Sequence, residues 1–154
     1  SDLRGSKMHS RIIQLSYQPI TENEYITEEL FYDWFVGTIA DYVSPTVDRE
    51  ADIDWFTRYL SYFGAERKGD TIYFPDNFKE NYFKKRLEKL KDRVSKITLE
   101  DFYDSVVTFG LIQLINDKYG FYVYLDYLLP LDDFVRKLKG NETFYFGNII
   151  DYHF

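Results

Sequence analysis

Apolar side chains recur along this chain in two rhythms, and the rhythm changes several times. Residues 11–20, RIIQLSYQPI, read as a strand ended by Pro19, which cannot donate to a sheet ladder. Thr27 suits an N-cap, with Glu28 and Glu29 in the first turn behind it. Leu30, Phe31, Trp34, Phe35, Thr38, Ile39 and Tyr42 then recur at helical spacing, predicting a helix over 28–43 that Ser44-Pro45 stops. Ile53, Phe56, Leu60 and Phe63 predict a second helix over 47–63, with Gly64 at its C′ position. AERKGDTIYF reads as a hairpin that turns at Lys68-Gly69-Asp70 and returns along 71–74. Pro75-Asp76 opens a third helix, 77–97, whose Phe83, Leu87, Leu90, Val94 and Ile97 repeat at 4-3-4-3. That stripe suits the domain's own core or a helix–helix dimer seam equally well.

Thr98 and Asp101 form the pattern of a capping box for a short helix. The rhythm then shifts to β-rich runs, VVTFGLIQLI and FYVYLDY, and the intervening NDKYG predicts a hairpin with Gly120 at positive φ. A short helix over 131–139, ended by Gly140, and a last strand, TFYFGNIIDYHF, complete the chain. The expected class is α+β: a single domain with an antiparallel sheet of four to five strands packed with three to four helices. Residues 1–7, SDLRGSK, read as an expression-tag remnant ahead of Met8, so the domain is expected to span 8–154.

Composition narrows the class further. With 154 residues, 45% hydrophobic and 29% charged, the chain can bury a real core, and disorder is excluded. No apolar run approaches the roughly 18 residues a membrane span requires, and no secretory h-region follows the polar start. The absence of cysteine removes disulfides, thiolate nucleophiles and Cys-based zinc sites, and fits a cytoplasmic protein. Scarce alanine beside abundant Phe, Tyr, Ile, Asn and Lys points to AT-rich coding, as in a low-GC bacterium, phage or mobile element.

Charge is strongly segregated. Residues 21–60 carry ten acids and two arginines, a net −8, whereas 61–97 carry a net +4 and 98–154 a net −5. Within the third helix, Glu80–Lys84 and Asp92–Lys96 form favourable i,i+4 pairs, so its basic face reads as solvated rather than nucleic-acid-binding. Glu28 and Glu29, like Asp48 and Glu50, fall in predicted first turns, where the helix dipole favours acids. Glu22, Glu24, Asp33, Asp41, Asp52 and Asp54 lie outside first turns and extend the negative field.

Motifs for turnover are missing. The run Asp48–Asp54 imitates a calcium loop but has Ile53 where glycine is required and Tyr59 where a bidentate Glu belongs. His9 and His153 sit at opposite chain ends without metal-ligand spacing, and His153 with Asp151 reads as a strand end. No nucleophile elbow or phosphate loop occurs. One carboxylate pair remains, Asp101 with Asp104, and Asp132 is spaced to share a face with Arg136, but helix starts account for Asp101, Asp132 and Asp133. No metal or cofactor is expected.

Aromatic residues make up 20% of the chain. Trp55, Tyr59 and Tyr62 widen the second helix beyond one packing face, and Tyr122 and Tyr124 share a strand face with Asp126. Tyrosine and tryptophan interspersed with acids suit protein contacts. The expected function is therefore stoichiometric binding rather than catalysis: a small acidic inhibitor that meets a partner's basic, nucleic-acid-binding surface, possible targets being a nuclease or defence complex. Its acidic face would comprise Glu22, Glu24, Asp33, Asp41, Asp48, Glu50, Asp52 and Asp54, flanked by Trp55, Tyr59 and Tyr62. The alternatives are a toxin-immunity or adaptor protein that binds through Tyr122 and Tyr124, and a hydrolase that uses a carboxylate pair. Direct binding of nucleic acid or membrane is not expected.

Overall fold

In the computed structural model, which describes residues 8–154, the elements follow in this order. Strand β1 is His9–Ser16, and two 3-10 turns, Glu22–Glu24 and Glu28–Phe31, lead to a kinked helical turn, α1, Phe35–Thr38. Then come β2 (Tyr42–Pro45), α2 (Arg49–Ser61), β3 (Glu66–Lys68), β4 (Thr71–Phe74) and α3 (Phe78–Ser95). The chain continues through α4 (Leu99–Tyr103), α5 (Ser105–Ile115), β5 (Tyr122–Leu125), β6 (Tyr127–Pro130), α6 (Leu131–Lys137) and β7 (Glu142–His153). The expected tag remnant, residues 1–7, lies outside the described residues.

The seven strands form one sheet in the order β3-β4-β7-β1-β5-β6, and β2 also pairs with β7. The class is α+β, as the patterning predicts, with more strands and helices than expected. The pairing is antiparallel except between β1 and β5, which run parallel because the long connection between them, over 17–121, allows it. Long β7 is the spine: β1 lies along one edge, while β4 and β2 share the other. Between β4 and β2, the Arg49 side chain replaces a strand, donating to the carbonyls of Gly147 at 3.1 Å and Phe146 at 3.2 Å. That fills an edge whose acceptors would otherwise lack partners.

A bulge shifts the β1–β7 register between Ile13 and Leu15. Gln14 braces it: Oε1 accepts from the backbone N–H of Ile26 (3.1 Å) and Asn148 (3.0 Å), and Nε2 donates to Glu24 O (3.1 Å). Gly147 is required there, since a Cβ would come within 2.6 Å of the Gln14 carboxamide carbon.

Both sheet faces are covered. On one, Ile13, Leu15, Phe144 and Phe146 pack with Phe56, Leu60, Phe78, Tyr82 and Phe134. On the other, Ile12, Tyr122, Ile150 and Tyr152 pack under Ile26, Phe31, Phe35, Ala40 and Val43.

Two expected elements are corrected. No helix runs over 28–43: Val36 is extended, Gly37 has φ +95°, and the segment ends in strand β2. Aromatic and β-branched residues of modest helix propensity leave the path to be set by Phe31 and Phe35, which anchor the chain flat on the sheet. Conversely, VVTFGLIQLI is not a strand but most of α5. Asp104 caps it by accepting from Val106 N at 2.9 Å, and Arg86 of α3 donates to Leu114 O at 3.1 Å. Docking on α3 overrides the β-branched composition. Gly120 is not among the positive-φ glycines; it is small because a Cβ would run into the Asp117 carboxylate.

Candidate functional site

The acidic segment divides into two very different surfaces. In α2, Asp48 is the N-cap and accepts from Ala51 N at 3.1 Å. Glu50 and Asp54 both reach Arg67, at 2.8 and 2.9 Å, so one guanidinium neutralises two carboxylates a helical turn apart. Asp52 is buried, which corrects its expected place on an exposed face: it lies 2.9 Å from Arg11 Nε and accepts from Thr46 Oγ1. Helix α2 thus spends its acids on capping and pairing.

The layer formed by residues 22–42 does not. No lysine or arginine occurs between Arg11 and Arg49. Glu22, Glu24, Glu29, Asp33 and Asp41 are exposed and Glu28 is half-buried. Among the described residues the only ion pair in this group is Asp41 with His153, 3.1 Å apart. Thr21 and Glu24 close a capping box at the start of the layer. Interleaved with these acids stand exposed Leu30, Tyr32, Trp34 and Tyr42, with Trp34 56% accessible. Tertiary anchors hold the layer: Phe35 packs edge-to-face on Tyr122 and Tyr152, at 5.0 and 5.1 Å. The sequence showed the charge but, by reading 28–43 as a regular helix, missed that the chain lies flat with acids and aromatics outward.

The expected aromatic contacts also separate. Trp55 is 38% exposed, edge-on to Phe121 and with the Arg11 guanidinium 5.2 Å from its ring centre. Tyr59 is similarly part-exposed, and Tyr62, more open, has Lys85 Nζ 3.9 Å over its ring. Tyr122 is 3% exposed and so is corrected to a core residue; its hydroxyl donates to Lys118 O at 2.8 Å, and burial pushes that hydroxyl up to about 12. Tyr124 is half-buried and packs edge-to-face on Phe31, 6.2 Å away.

The two histidines meet across the β1–β7 ladder, where His9 pairs with His153 and the rings lie 4.9 Å apart. Asp151 contacts His9 Nδ1 at 3.3 Å and Arg11 at 3.2 Å. Tyr42 stacks on His153 at 4.9 Å.

Beside His9, a cavity of about 260 Å³ opens between α2, α3 and the start of β5; Trp55, Tyr59, Tyr82, Asp117 and Asp132 are among its lining residues. Asp132 accepts from Tyr82 Oη at 2.6 Å and lies 3.1 Å from Arg86 Nη2. Burial drives the Tyr82 hydroxyl well above its ordinary value. Burial also raises the Asp117 carboxyl, although Arg86 and the Tyr119 N–H pull it back. Sequence reading missed this group, whose members lie on α3, on α6 and in the loop before β5; the expected Asp132–Arg136 contact is instead Asp133–Arg136, at 2.7 Å. Asp101 and Asp104 serve as helix caps. No cluster of metal-ligating side chains occurs among the described residues, nor any helix long and apolar enough to cross a membrane.

Compared with known proteins, the chain matches no family model, no curated protein and no solved structure.

Proposed function

We propose that this chain acts by stoichiometric binding, presenting the 22–42 layer to a basic surface on another protein. The observation that carries this reading is a set of carboxylates that, among the described residues, pair with no lysine or arginine, interleaved with Leu30, Tyr32, Trp34 and Tyr42. Unpaired acids steer and select a lysine- and arginine-rich partner, while protruding aromatics supply the desolvated contact that fixes the complex. A nucleic-acid-binding cleft, as in a nuclease or defence complex, has that chemistry, and an inhibitor occupying it would compete with the nucleic acid. Relative to the sequence expectation, which ran from Glu22 to Asp54, the working face narrows to the layer before α2.

The test is affinity capture from the source cells with the intact chain at low salt, followed by binding measurements on the captured protein. The reading expects a basic partner released by salt, lost on Glu28→Lys/Glu29→Lys/Asp33→Lys or Trp34→Ala, and displaced by nucleic acid. Equal binding by the reversed chain would remove the proposal.

A second reading, hydrolysis by a carboxylate pair, draws support from Asp117 and Asp132 lining one cavity. The ties of Asp132 to Tyr82 and Arg86 favour a structural role instead. The adaptor reading through Tyr122 and Tyr124 loses support with the burial of Tyr122.

A further inference from the structure

Helix α5, SVVTFGLIQLI, holds no charged residue over its eleven positions, yet none of them is buried. A helix apolar on every side is normally found inside a protein or across a bilayer. At about 1.5 Å per residue it reaches roughly half of a bilayer's hydrocarbon thickness, so crossing is not its purpose. One side docks on α3, where Gly110 lies beside Arg93 and Leu114 O accepts from Arg86. The other side carries Val106, Phe109, Ile112 and Ile115, continued on α4 by Phe102 and Tyr103, all between 53% and 77% exposed. These six side chains present on the order of 700 Å² of surface, above the largest patch of a typical monomer and near the share each partner gives a standard interface. Leu87 and Val94, the exposed edge of the 4-3-4-3 stripe, widen it.

We infer that this face is covered by the same face of a second copy of the chain. The surface offers an incoming partner no charge to pair, so its complement is another apolar face of equal size, which the chain itself supplies. The rims agree: α3 exposes Lys79, Lys84, Lys89, Lys91 and Arg93 against Glu80, Glu88 and Asp92, a net basic surface, and the α4 end carries Glu100, Asp101 and Asp104. A two-fold axis through α5 sets the basic rim of one copy opposite the acidic rim of the other. The same acids disfavour an anionic lipid surface.

Sedimentation of the full chain from roughly 1 to 200 µM tests this directly, since a standard interface gives dissociation constants within reach of that range. A monomer–dimer equilibrium is expected. Phe109→Asp and Ile112→Asp should each raise its midpoint by about 100-fold or more with unchanged circular dichroism, because both side chains are exposed in the monomer. Trp34→Asp, on the opposite sheet face, should leave it unchanged. A chain monomeric throughout, or a dimer that survives both arm variants, overturns the inference; so does an arm that binds only a different protein. As the chain has no cysteine, Ile112→Cys gives a unique handle. A short bismaleimide should link it into dimers and leave Tyr32→Cys monomeric; the reverse pattern also overturns the inference. The dimer should persist in high salt, whereas the partner binding proposed above should not, so failure of one is distinguishable from failure of the other.

Discussion

The 22–42 layer and the α4–α5 arm both hold large apolar side chains out of the core, but they are built in opposite ways. The layer is pinned from beneath by Ile26, Phe31 and Phe35 and threaded with acids that pair with no lysine or arginine among the described residues. The arm has nothing buried on α4 or α5, and α5 has no charge at all. Exposed aromatics therefore carry no single meaning. Over an acidic layer they fit a basic partner; along the charge-free α5 they fit an apolar one.

Stability should separate the two regions most sharply. Phe35→Ala removes a side chain packed on Tyr122 and Tyr152 and should cost about 3–5 kcal/mol in denaturant unfolding. Phe109→Ser at concentrations that hold the chain monomeric should change stability by less than about 0.5 kcal/mol. A large loss at Phe109 would mean that the arm belongs to the monomer's core. Next in size is Asp52→Ala, which takes from Arg11 one of its two carboxylates, leaving Asp151, and from Thr46 its acceptor; it should cost about 2–3 kcal/mol. Asp54→Ala should cost under about 1 kcal/mol, since its bond to Arg67 is exposed. Comparable losses from the two would erase the distinction between the structural acids of α2 and its surface ones.

The bulge brace sharpens the account of the layer. Gln14→Leu strands the N–H groups of Ile26 and Asn148 and should cost about 2 kcal/mol. It should also speed hydrogen exchange across 22–31 without changing the arm. The smallest effect concerns Asp117. Its folded carboxyl is raised by burial, so the folded state holds the proton more tightly than the unfolded chain. Its contribution to stability is therefore present below the unfolded value and lost as pH rises through the folded one. Asp117→Asn should flatten the fall in stability as pH rises from about 4, as read by unfolding midpoints across a pH series.

Much of the body was legible from sequence because local signals agreed with tertiary ones there. Ile53, Phe56, Leu60 and Gly64 mark α2, whose helix ends at Ser61, and Lys68-Gly69-Asp70 marks the hairpin. The layer and the arm were misread for mirror-image reasons. In 28–43 the helical spacing was real, but Gly37 and the anchoring of Phe31 and Phe35 broke the helix. In 105–115 the β-branched composition was real, but the Asp104 cap and docking on α3 decided for a helix. The acidic field was visible as charge; that Arg67 and Arg11 quench its α2 portion was not, because both pairings cross between elements. The cavity group of Asp117, Asp132, Tyr82 and Arg86 was hidden for the same reason.

The central claim is that the free acids of the 22–42 layer, and not those of α2, bind the partner. Titrating the captured partner with the intact chain, the Glu28→Lys/Glu29→Lys/Asp33→Lys variant and the Asp48→Lys variant, at one fixed moderate ionic strength, tests it most directly. The account predicts that the layer variant weakens binding by roughly 100-fold, with Asp48→Lys near the unaltered chain. Full affinity in the layer variant would contradict it.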